Sequence, residues 1–102
     1  MLVITGTIRL GSVEELERVR GVLVARAERS RSEAGCLDYQ FARSLDDPTE
    51  IRLIEKWASR ADLEAHLAVP DPAFGELLEQ ADIAAATVLV CEAGEERLML
   101  AR

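Results

Sequence analysis

The hydrophobic pattern of the chain predicts four β-strands. In residues 2–10 and 36–43, apolar and polar side chains alternate with a period of two, which places neighbouring side chains on opposite faces of a strand. Residues 51–58 continue the alternation, and the turn-forming residues before them predict that the second and third strands make an antiparallel hairpin. Residues 84–92 are almost continuously apolar and form the fourth predicted strand. The side chains that share one face of the first three strands are Leu2, Ile4, Ile8 and Leu10; Leu37, Tyr39 and Phe41; and Ile51, Leu53, Glu55 and Trp57.

A helix is predicted between the first two strands. Ser12 and Glu15 have the spacing of a capping box, in which each side chain satisfies a backbone N–H of the first turn. Gly35 is expected to end the helix, because glycine adopts the left-handed conformation of a C-terminal cap without strain. This span corresponds to about five turns. The apolar side chains that share one face of this helix are Val13, Leu16, Val19, Leu23 and Ala27.

A second helix is predicted after the hairpin. Ser59, with Asp62 three residues later, resembles a capping box in which aspartate replaces glutamate. Pro70 and Pro72 are expected to interrupt this helix, because proline does not continue a regular helix. Residues 74–80 then predict a further helical turn or two.

The resulting order, βαββαβ, belongs to the α+β class and predicts the ferredoxin-like split βαβ layout, an antiparallel sheet with both helices on one face. The 102 residues form one domain, with residues 93–102 as a C-terminal tail. The strands carry apolar side chains on both faces, such as Val3 beside Ile4, so the face without helices needs a partner. We expect a second copy there, giving a homodimer in the form of a dimeric α/β barrel, in which the tail could pair with the partner subunit.

The charge distribution argues against several kinds of partner. The chain has a net charge of −7. Residues 1–35 contain six arginines and five glutamates, a net of +1, whereas residues 36–102 contain six basic and fourteen acidic residues, a net of −8. Because no basic stripe is present, neither nucleic acid nor an anionic membrane is an expected partner. No signal-peptide pattern and no apolar run of membrane-spanning length is seen, so the expected location is cytoplasmic.

The residue types best suited to chemistry fall in one stretch of the chain. Glu55 and Trp57 share one face of the third predicted strand, and His66, the only histidine, follows in the second helix. Leu63, three residues before His66, and Leu67, directly after it, are apolar, so we expect His66 to border the stripe that faces the core. We expect a wedge between sheet and helices that is lined by Tyr39, Phe41, Glu55, Trp57 and His66, with Phe74 at its edge.

Each of these residues also has a purely structural interpretation. Trp57 and Phe41 are more often plain core residues than binding residues. Tyr39 could simply hydrogen-bond to the backbone, and His66 could be a buried histidine with one satisfying partner. Glu55 could lean into solvent at the end of its strand; if it is buried, desolvation raises its pKa and it needs a hydrogen-bond donor.

Several well-known kinds of site are not indicated by the sequence. It contains no glycine-rich phosphate loop, no GxSxG motif and no flavin or nicotinamide fingerprint. A single histidine without clustered carboxylates does not predict a metal site, and Cys36 and Cys91 lack the spacing of zinc ligands. An enzyme built on this chain is therefore expected to work without a bound cofactor or metal.

Four sequence segments together resemble the antibiotic biosynthesis monooxygenase family. They are Ala34-Gly-Cys-Leu-Asp-Tyr39, Asp46-Asp-Pro48, Ile54-Glu-Lys-Trp57, and Leu63-Glu-Ala-His-Leu67 with Phe74 beyond it. The most specific feature is the Glu-x-Trp strand, followed nine residues after the tryptophan by the helical histidine. The resemblance covers residues 2–92 and implies a dimeric ferredoxin-like protein.

The resemblance also implies a reaction. Some family members oxidise quinols, anthrones or related polyketide-like phenolic rings with molecular oxygen, without metal or flavin, in a pocket between sheet and helices. By matching position, the resemblance assigns His66 as base or oxyanion donor, Tyr39 as a hydrogen-bonding group and Glu55 as the group that orients His66. The flat wall for the substrate ring would be formed by Phe41, Trp57 and Phe74.

A neighbouring branch of the family degrades haem, and this chain departs from its pattern. That branch uses an asparagine in the first strand, a tryptophan and a haem-ligating histidine late in the second helical segment. Here the first strand has no asparagine, residues 74–80 contain no histidine, and His66 aligns nearer the position of that tryptophan. Haem degradation is therefore disfavoured. Two functions stay open: a cofactor-independent monooxygenase for a small aromatic substrate, and a non-catalytic dimeric module that binds a small hydrophobic molecule.

Overall fold

The computed structural model describes residues 1–102 as seven helices and strands. The strands are β1 (Leu2–Leu10), β2 (Cys36–Arg43), β3 (Glu50–Trp57) and β4 (Ile83–Glu92), and the helices are α1 (Val13–Arg31), α2 (Arg60–Ala68) and α3 (Pro72–Gln80). Residues 93–102 follow β4 without regular secondary structure. None of the helices combines the length and the apolar content that crossing a membrane requires.

The four strands form one antiparallel sheet in the order β2-β3-β1-β4, which is the predicted ferredoxin-like arrangement. α1 packs on β1 and β2, and α2 packs on β3, so the helices cover one face of the sheet. The core lies between these two layers. It buries most of the side chains that the alternation placed on one face, among them Leu2, Ile4, Ile8, Leu10, Ile51, Leu53 and Trp57. The predicted α+β class and its one-sided layer of helices are confirmed.

α1 begins where predicted, but its capping box is only half formed. The Ser12 hydroxyl accepts a hydrogen bond from the backbone N–H of Glu15 at 3.1 Å. The Glu15 carboxylate does not return to Ser12; it accepts hydrogen bonds from Arg18 and from the backbone N–H of Asp82, the latter at 2.7 Å. These two hydrogen bonds lower the pKa of Glu15 to about 2. Glu15 therefore ties the start of α1 to the start of β4.

The end of α1 also differs from the prediction. The last helical residue is Arg31, and Ser32 caps the helix, so Gly35 lies beyond its end. Gly35 has a φ of 78°, in the left-handed region that favours glycine. Its carbonyl accepts a hydrogen bond from the backbone N–H of Ala58 at 2.8 Å, and a Cβ here would collide with the Asp62 side chain. Gly35 therefore allows the turn before β2 to pack against the start of α2.

β2 contains an irregularity that simple alternation did not predict. The pairing of β2 with β3 shifts between Cys36 and Asp38, which leaves Leu37 out of the register. Leu37 is consequently 58% exposed, while Cys36 packs against the core. The prediction that Leu37 shares a face with Tyr39 and Phe41 is wrong.

The segment before β4 is more helical than predicted. The prolines do interrupt α2, but the residues that follow form the nine-residue helix α3 rather than a helical turn or two. Pro72 occupies the first turn, where its missing N–H needs no partner. Asp71 caps the helix by accepting a hydrogen bond from the backbone N–H of Phe74 at 3.2 Å. The element order is therefore βαββααβ.

The sheet face opposite the helices has no covering layer within the chain. Leu89 of β4 points to this outer face opposite Thr5 and is 63% exposed. Val88 and Val90 point to the helix side of β4, yet they are also exposed. The remaining exposed apolar side chains near the end of the chain are Leu98, Met99 and Leu100 in the tail. An extended apolar surface is therefore open in a single subunit.

Candidate active site

Four of the six predicted site residues come together between the helices and the sheet. Tyr39, Glu55, Trp57 and His66 form a buried cluster, here called the His66 site, with exposed fractions of 1%, 6%, 0% and 2%. Tyr39 lies opposite Glu55 in the pairing of β2 with β3, and Trp57 follows on the same face two residues later. His66 reaches the cluster from α2, about one helical turn after the buried Leu63. The alternation of β3 and the phase of α2 thus bring the cluster together.

His66 is packed between two aromatic rings and bonded at both ring nitrogens. Its ring lies 4.6 Å from that of Trp57 and 5.5 Å from that of Tyr39, between centroids. Nδ1 lies 2.6 Å from Oε1 of Glu33, and Nε2 lies 3.3 Å from a terminal nitrogen of Arg26. Because a guanidinium can only donate, Nε2 must accept, and Nδ1 must carry the proton that it donates to Glu33. This arrangement makes Nδ1 the donating nitrogen of His66 and Nε2 the accepting one.

Glu55 is held by Trp57 rather than by His66. The indole Nε1–H of Trp57 donates to Oε1 of Glu55 at 3.0 Å, whereas that oxygen lies 3.9 Å from Nε2 of His66, beyond hydrogen-bond distance. Burial raises the pKa of Glu55, and the Trp57 hydrogen bond together with the nearby His66 and Arg26 offset only part of that rise. The carboxylate that is hydrogen-bonded to the imidazole is that of Glu33, a residue not singled out from the sequence, rather than that of Glu55.

Arg26 of α1 connects the His66 site with the segment between α2 and α3. Its Nε donates to the hydroxyl of Tyr39 at 3.1 Å, one terminal nitrogen faces His66, and the other donates to Oδ2 of Asp71 at 3.2 Å. The guanidinium carbon lies 4.1 Å above the ring of Phe74, a cation–π contact. Burial raises the pKa of the Tyr39 phenol, so it keeps its proton well above neutral pH. Arg26 is therefore the side chain that closes this site from the α1 side.

The other two predicted residues lie at the margin of the His66 site. Phe41 contacts Tyr39 edge to face, with ring centroids 5.6 Å apart and 72° between the planes. Phe41 also lines an apolar cleft of about 320 Å³ between α1 and the β2–β3 hairpin. Phe74 lies beneath the Arg26 guanidinium. The three aromatic residues of the predicted wall therefore do not line one common surface.

The four residues of the His66 site are buried, and none of them lines a principal cavity, so the expected wedge is not among these cavities. The principal cavities lie elsewhere: the cleft beside Phe41, a depression of about 390 Å³ around Gly6 on the outer sheet face, and a groove of about 230 Å³ between α1 and α3. No group of three or more histidine, cysteine, aspartate or glutamate side chains is arranged to hold a metal ion. A ligand that approaches Nε2 of His66 must displace Arg26, which occupies that side of the ring.

Sequence reasoning missed three charged residues around this site, Arg26, Glu33 and Asp71. Arg26 and Glu33 follow the buried Val19 at successive intervals of seven residues, in line with the buried Leu23. This spacing places Arg26 along the core-facing stripe of α1 and Glu33 in line with it, just beyond the end of the helix at Arg31. The heptad spacing is the signal in the sequence that points to both residues. Asp71 carries no comparable signal, because its contact with α1 depends on the path between α2 and α3.

Comparison with known proteins places the chain in a family. The sequence profile described as antibiotic biosynthesis monooxygenase matches residues 1–80. A Deinococcus radiodurans protein, provisionally described as an antibiotic biosynthesis monooxygenase, is 28% identical with a TM-score of 0.88 over 99% of this chain and 100% of that chain. A Pseudomonas aeruginosa protein is 28% identical with a TM-score of 0.72 over 92% and 94% of the two chains. A Nitrosomonas europaea protein with the same provisional description shares the fold at 20% identity, with a TM-score of 0.80 over 91% and 98%. The sequence matches none of the curated proteins compared with it.

The region that matches the family profile contains all the residues of the His66 site. Residues 1–80 include β2, β3 and α2, which contribute every member of the His66 site, together with α1, which contributes Arg26. The similar solved structures extend the likeness over nearly the whole chain, including β4. The chain therefore belongs to the antibiotic biosynthesis monooxygenase family.

Proposed function

We propose that this protein is a cofactor-independent monooxygenase that oxidises a flat aromatic substrate, such as a quinol, an anthrone or a polyketide-like phenol, with molecular oxygen. The observation that carries the proposal is the state of His66. Glu33 fixes the proton on Nδ1, which leaves Nε2 as a base inside a site shielded from water. Family membership supports the reaction class.

The proposed reaction begins with proton transfer to Nε2 of His66 from an acidic ring carbon or hydroxyl. The resulting anion transfers one electron to oxygen, and the substrate radical and superoxide combine to a peroxide. The peroxide takes up a proton and loses water. For a methylene carbon, CH2 and O2 are converted to C=O and H2O, so all atoms are accounted for. The protein supplies the base, donors for the oxyanion and a site from which water is excluded.

The residues around His66 fit the roles that this reaction needs. Glu33 keeps the imidazole in one orientation and stabilises the charge that forms when Nε2 takes up a proton. The hydroxyl of Tyr39 and the guanidinium of Arg26 donate to the substrate oxyanion once the substrate separates them. The Arg26 guanidinium contacts both Nε2 of His66 and the hydroxyl of Tyr39, so proton removal and anion binding take place together.

Glu55 and Trp57 are assigned to positioning the substrate ring, with Phe41 and Phe74 at the margins of the site. Glu55 fixes the indole of Trp57 through its hydrogen bond, and Trp57 in turn supports the imidazole. Phe41 separates the site from the apolar cleft, and Phe74 lies on the side of Arg26. In this assignment Glu55 acts through Trp57.

The proposal includes a cytoplasmic homodimer without a bound metal, flavin or haem. Exposed apolar side chains on the outer sheet face and in residues 93–102 support association with a second copy, with the tail pairing with the partner. The visible absorption spectrum of the purified protein tests the cofactor part. A flavin or haem band would contradict it.

Oxygen consumption over a panel of dihydroxyaromatics and anthrones tests the function. We expect the intact protein to accelerate oxygen uptake with at least one such ring, and His66→Ala to lower kcat by roughly 10²–10⁴-fold while substrate binding is retained. Arg60→Ala is the control, because Arg60 is exposed and pairs with Glu92 away from the site. If the intact protein shows no oxygen uptake with any member of the panel, or if His66→Ala keeps full activity, the proposal is wrong.

A second function, a non-catalytic dimeric module that binds a small hydrophobic molecule, is favoured by one observation. The cleft beside Phe41 is an open apolar cavity, whereas the residues of the His66 site are buried and line none of the principal cavities. Val24 lines this cleft, so Val24→Trp would fill it. Ligand binding that is lost in Val24→Trp and kept in His66→Ala, without oxygen uptake, would identify the binding module.

A further inference from the structure

We propose that Arg26 and Arg29 bind the carboxylate of an acidic aromatic ligand, and that Asp71 occupies this anion site in the unliganded protein. The inference rests on the proposed function only in taking the His66 site as the place where the ligand reacts. It adds a ligand class, namely flat aromatic molecules that carry a carboxylate. Asp71 is then an internal competitor that leaves the two arginines when such a ligand binds.

Two arginines converge on a single oxygen of Asp71. Terminal nitrogens of Arg26 and Arg29 lie 3.2 Å and 3.1 Å from Oδ2 of Asp71. The Arg26 side chain is only 11% exposed, so this contact lies between the buried site and the solvent. The same guanidinium faces Nε2 of His66 at 3.3 Å. An anion that replaces Asp71 is therefore placed next to the proposed base.

Arg26 and Arg29 carry more N–H donors than the surrounding side chains offer acceptor oxygens. Nε and a terminal nitrogen of Arg29 are buried without a hydrogen-bond partner. The neighbouring carboxylates are already engaged, Glu33 with His66 at 2.6 Å and Glu55 with Trp57 at 3.0 Å. The second oxygen of Glu33 is 3.8 Å from Nε of Arg29, too far for a hydrogen bond. Because buried unpaired N–H groups are unfavourable, the site is stabilised when a ligand supplies a further acceptor oxygen.

A ligand carboxylate can pair with more of these N–H groups than Asp71 does. Oδ1 of Asp71 accepts the backbone N–H of Phe74 at 3.2 Å, so Asp71 offers the arginines only Oδ2. A free carboxylate offers two oxygens, and guanidinium groups bind this planar fork through paired hydrogen bonds. The ring of Phe74, 4.1 Å from the Arg26 guanidinium, provides an aromatic surface beside the anion site. These features together favour an aromatic acid over a neutral phenol.

Binding of 2-naphthoate and 2-naphthol, measured by isothermal titration calorimetry at neutral pH, tests the inference, because these ligands share a ring system and differ in the carboxylate. We expect the intact protein to bind 2-naphthoate about tenfold more tightly or better. Arg26→Gln and Arg29→Gln should each reduce this preference. Asp71→Asn should strengthen 2-naphthoate binding about threefold or more and leave 2-naphthol binding unchanged, since it removes the competing charge. Asparagine also caps helices, so α3 is retained.

Two further measurements locate the bound anion. Trp57 is the only tryptophan, and its ring lies 4.6 Å from that of His66, so its indole N–H signal in the NMR spectrum should shift when 2-naphthoate is added. Arg20→Gln is the matched control, because Arg20 lies on the same helix but lines the cleft beside Phe41. Loss of the carboxylate preference in Arg20→Gln, with the preference kept in Arg26→Gln, would place the anion in the cleft and overturn the inference.

Binding and oxygen uptake together separate this inference from the proposed function. Carboxylate-selective binding that depends on Arg26 and Asp71, without oxygen uptake on any substrate, supports the anion site and overturns the monooxygenase. Equal oxygen uptake on neutral and acidic quinols, unchanged in Asp71→Asn, supports the monooxygenase and overturns the anion site. Weaker 2-naphthoate binding in Asp71→Asn than in the intact protein would show that Asp71 only fastens α3 to α1, and this would also overturn the inference.

Discussion

The imidazole of His66 has an acceptor at one ring nitrogen and a donor at the other, and these two partners determine which nitrogen can take up a proton. Glu33 accepts from Nδ1 and Arg26 donates to Nε2. Only Nε2 has a lone pair for a substrate, and that lone pair becomes free only when Arg26 turns away. The guanidinium that covers Nε2 is also the group best placed to bind the anion that the proposed reaction would create. In the proposed reaction, proton transfer to His66 therefore requires a ligand that competes for Arg26.

Glu55 is expected to destabilise the folded protein at neutral pH. Burial raises its pKa, so the folded state favours the protonated acid, and stability is lost as the pH rises from the ordinary carboxyl pKa toward the raised one. Glu55→Gln removes this penalty and keeps an oxygen for the N–H of Trp57. We expect the substitution to increase the free energy of unfolding by roughly 1–2 kcal/mol at about pH 7. Below about pH 4 the two proteins should differ little, because Glu55 is then protonated in both states.

Urea unfolding followed by the fluorescence of Trp57 at a series of pH values measures this difference. Glu64→Gln is the matched control, because Glu64 is exposed on α2, and we expect it to change stability by less than about 0.5 kcal/mol throughout. If Glu55→Gln is less stable than the intact protein at neutral pH, the ionised carboxylate is needed for its bond to Trp57 and the expectation is wrong.

At the scale of the elements, the sequence predicted the features that depend on local side-chain periodicity. Alternation placed Glu55 and Trp57 on one face of β3, and helical spacing turned His66 toward the core. Features that depend on distant contacts could not be predicted in this way. Glu15 bonds to the chain just before β4 instead of completing its own cap, and the shift at Leu37 arises from how β2 docks on β3. In both cases tertiary packing selects among local arrangements of similar energy.

Two glycines in and after α1 should respond in opposite directions to the same substitution. Gly35→Ala forces alanine into a φ of 78° and directs its Cβ into Asp62, so we expect a loss of about 2–4 kcal/mol in the free energy of unfolding. Gly21 lies inside α1, and a Cβ there meets nothing within 4 Å. Gly21→Ala should therefore gain about 0.5–1 kcal/mol through its higher helix propensity. Urea unfolding of both variants measures the two effects, and changes of the same sign would refute this account of the turn.

At the scale of the whole molecule, the single subunit leaves open a surface that its own helices do not reach. Leu89 lines the depression on the outer sheet face, beside Thr5 and Thr7. The tail already extends toward this face, because Glu96 pairs with Lys56 of β3 at 2.6 Å. A domain of about 100 residues buries a modest fraction of its surface on folding, so association over this face adds apolar burial that the subunit lacks.

We expect the protein to be a dimer in solution that is joined through the outer sheet face. Leu89→Arg places an unpaired charge in this interface, so sedimentation equilibrium at micromolar concentration should give a dimer for the intact protein and a monomer for the variant. Leu45→Arg is the matched control and should stay dimeric, because Leu45 is fully exposed in the turn between β2 and β3. An intact protein with the mass of one chain, or a Leu89→Arg protein that is still dimeric, would contradict this interface. Since the His66 site lies on the opposite side of the sheet, a monomeric Leu89→Arg protein that still binds 2-naphthoate would also show that one subunit is sufficient to form the site.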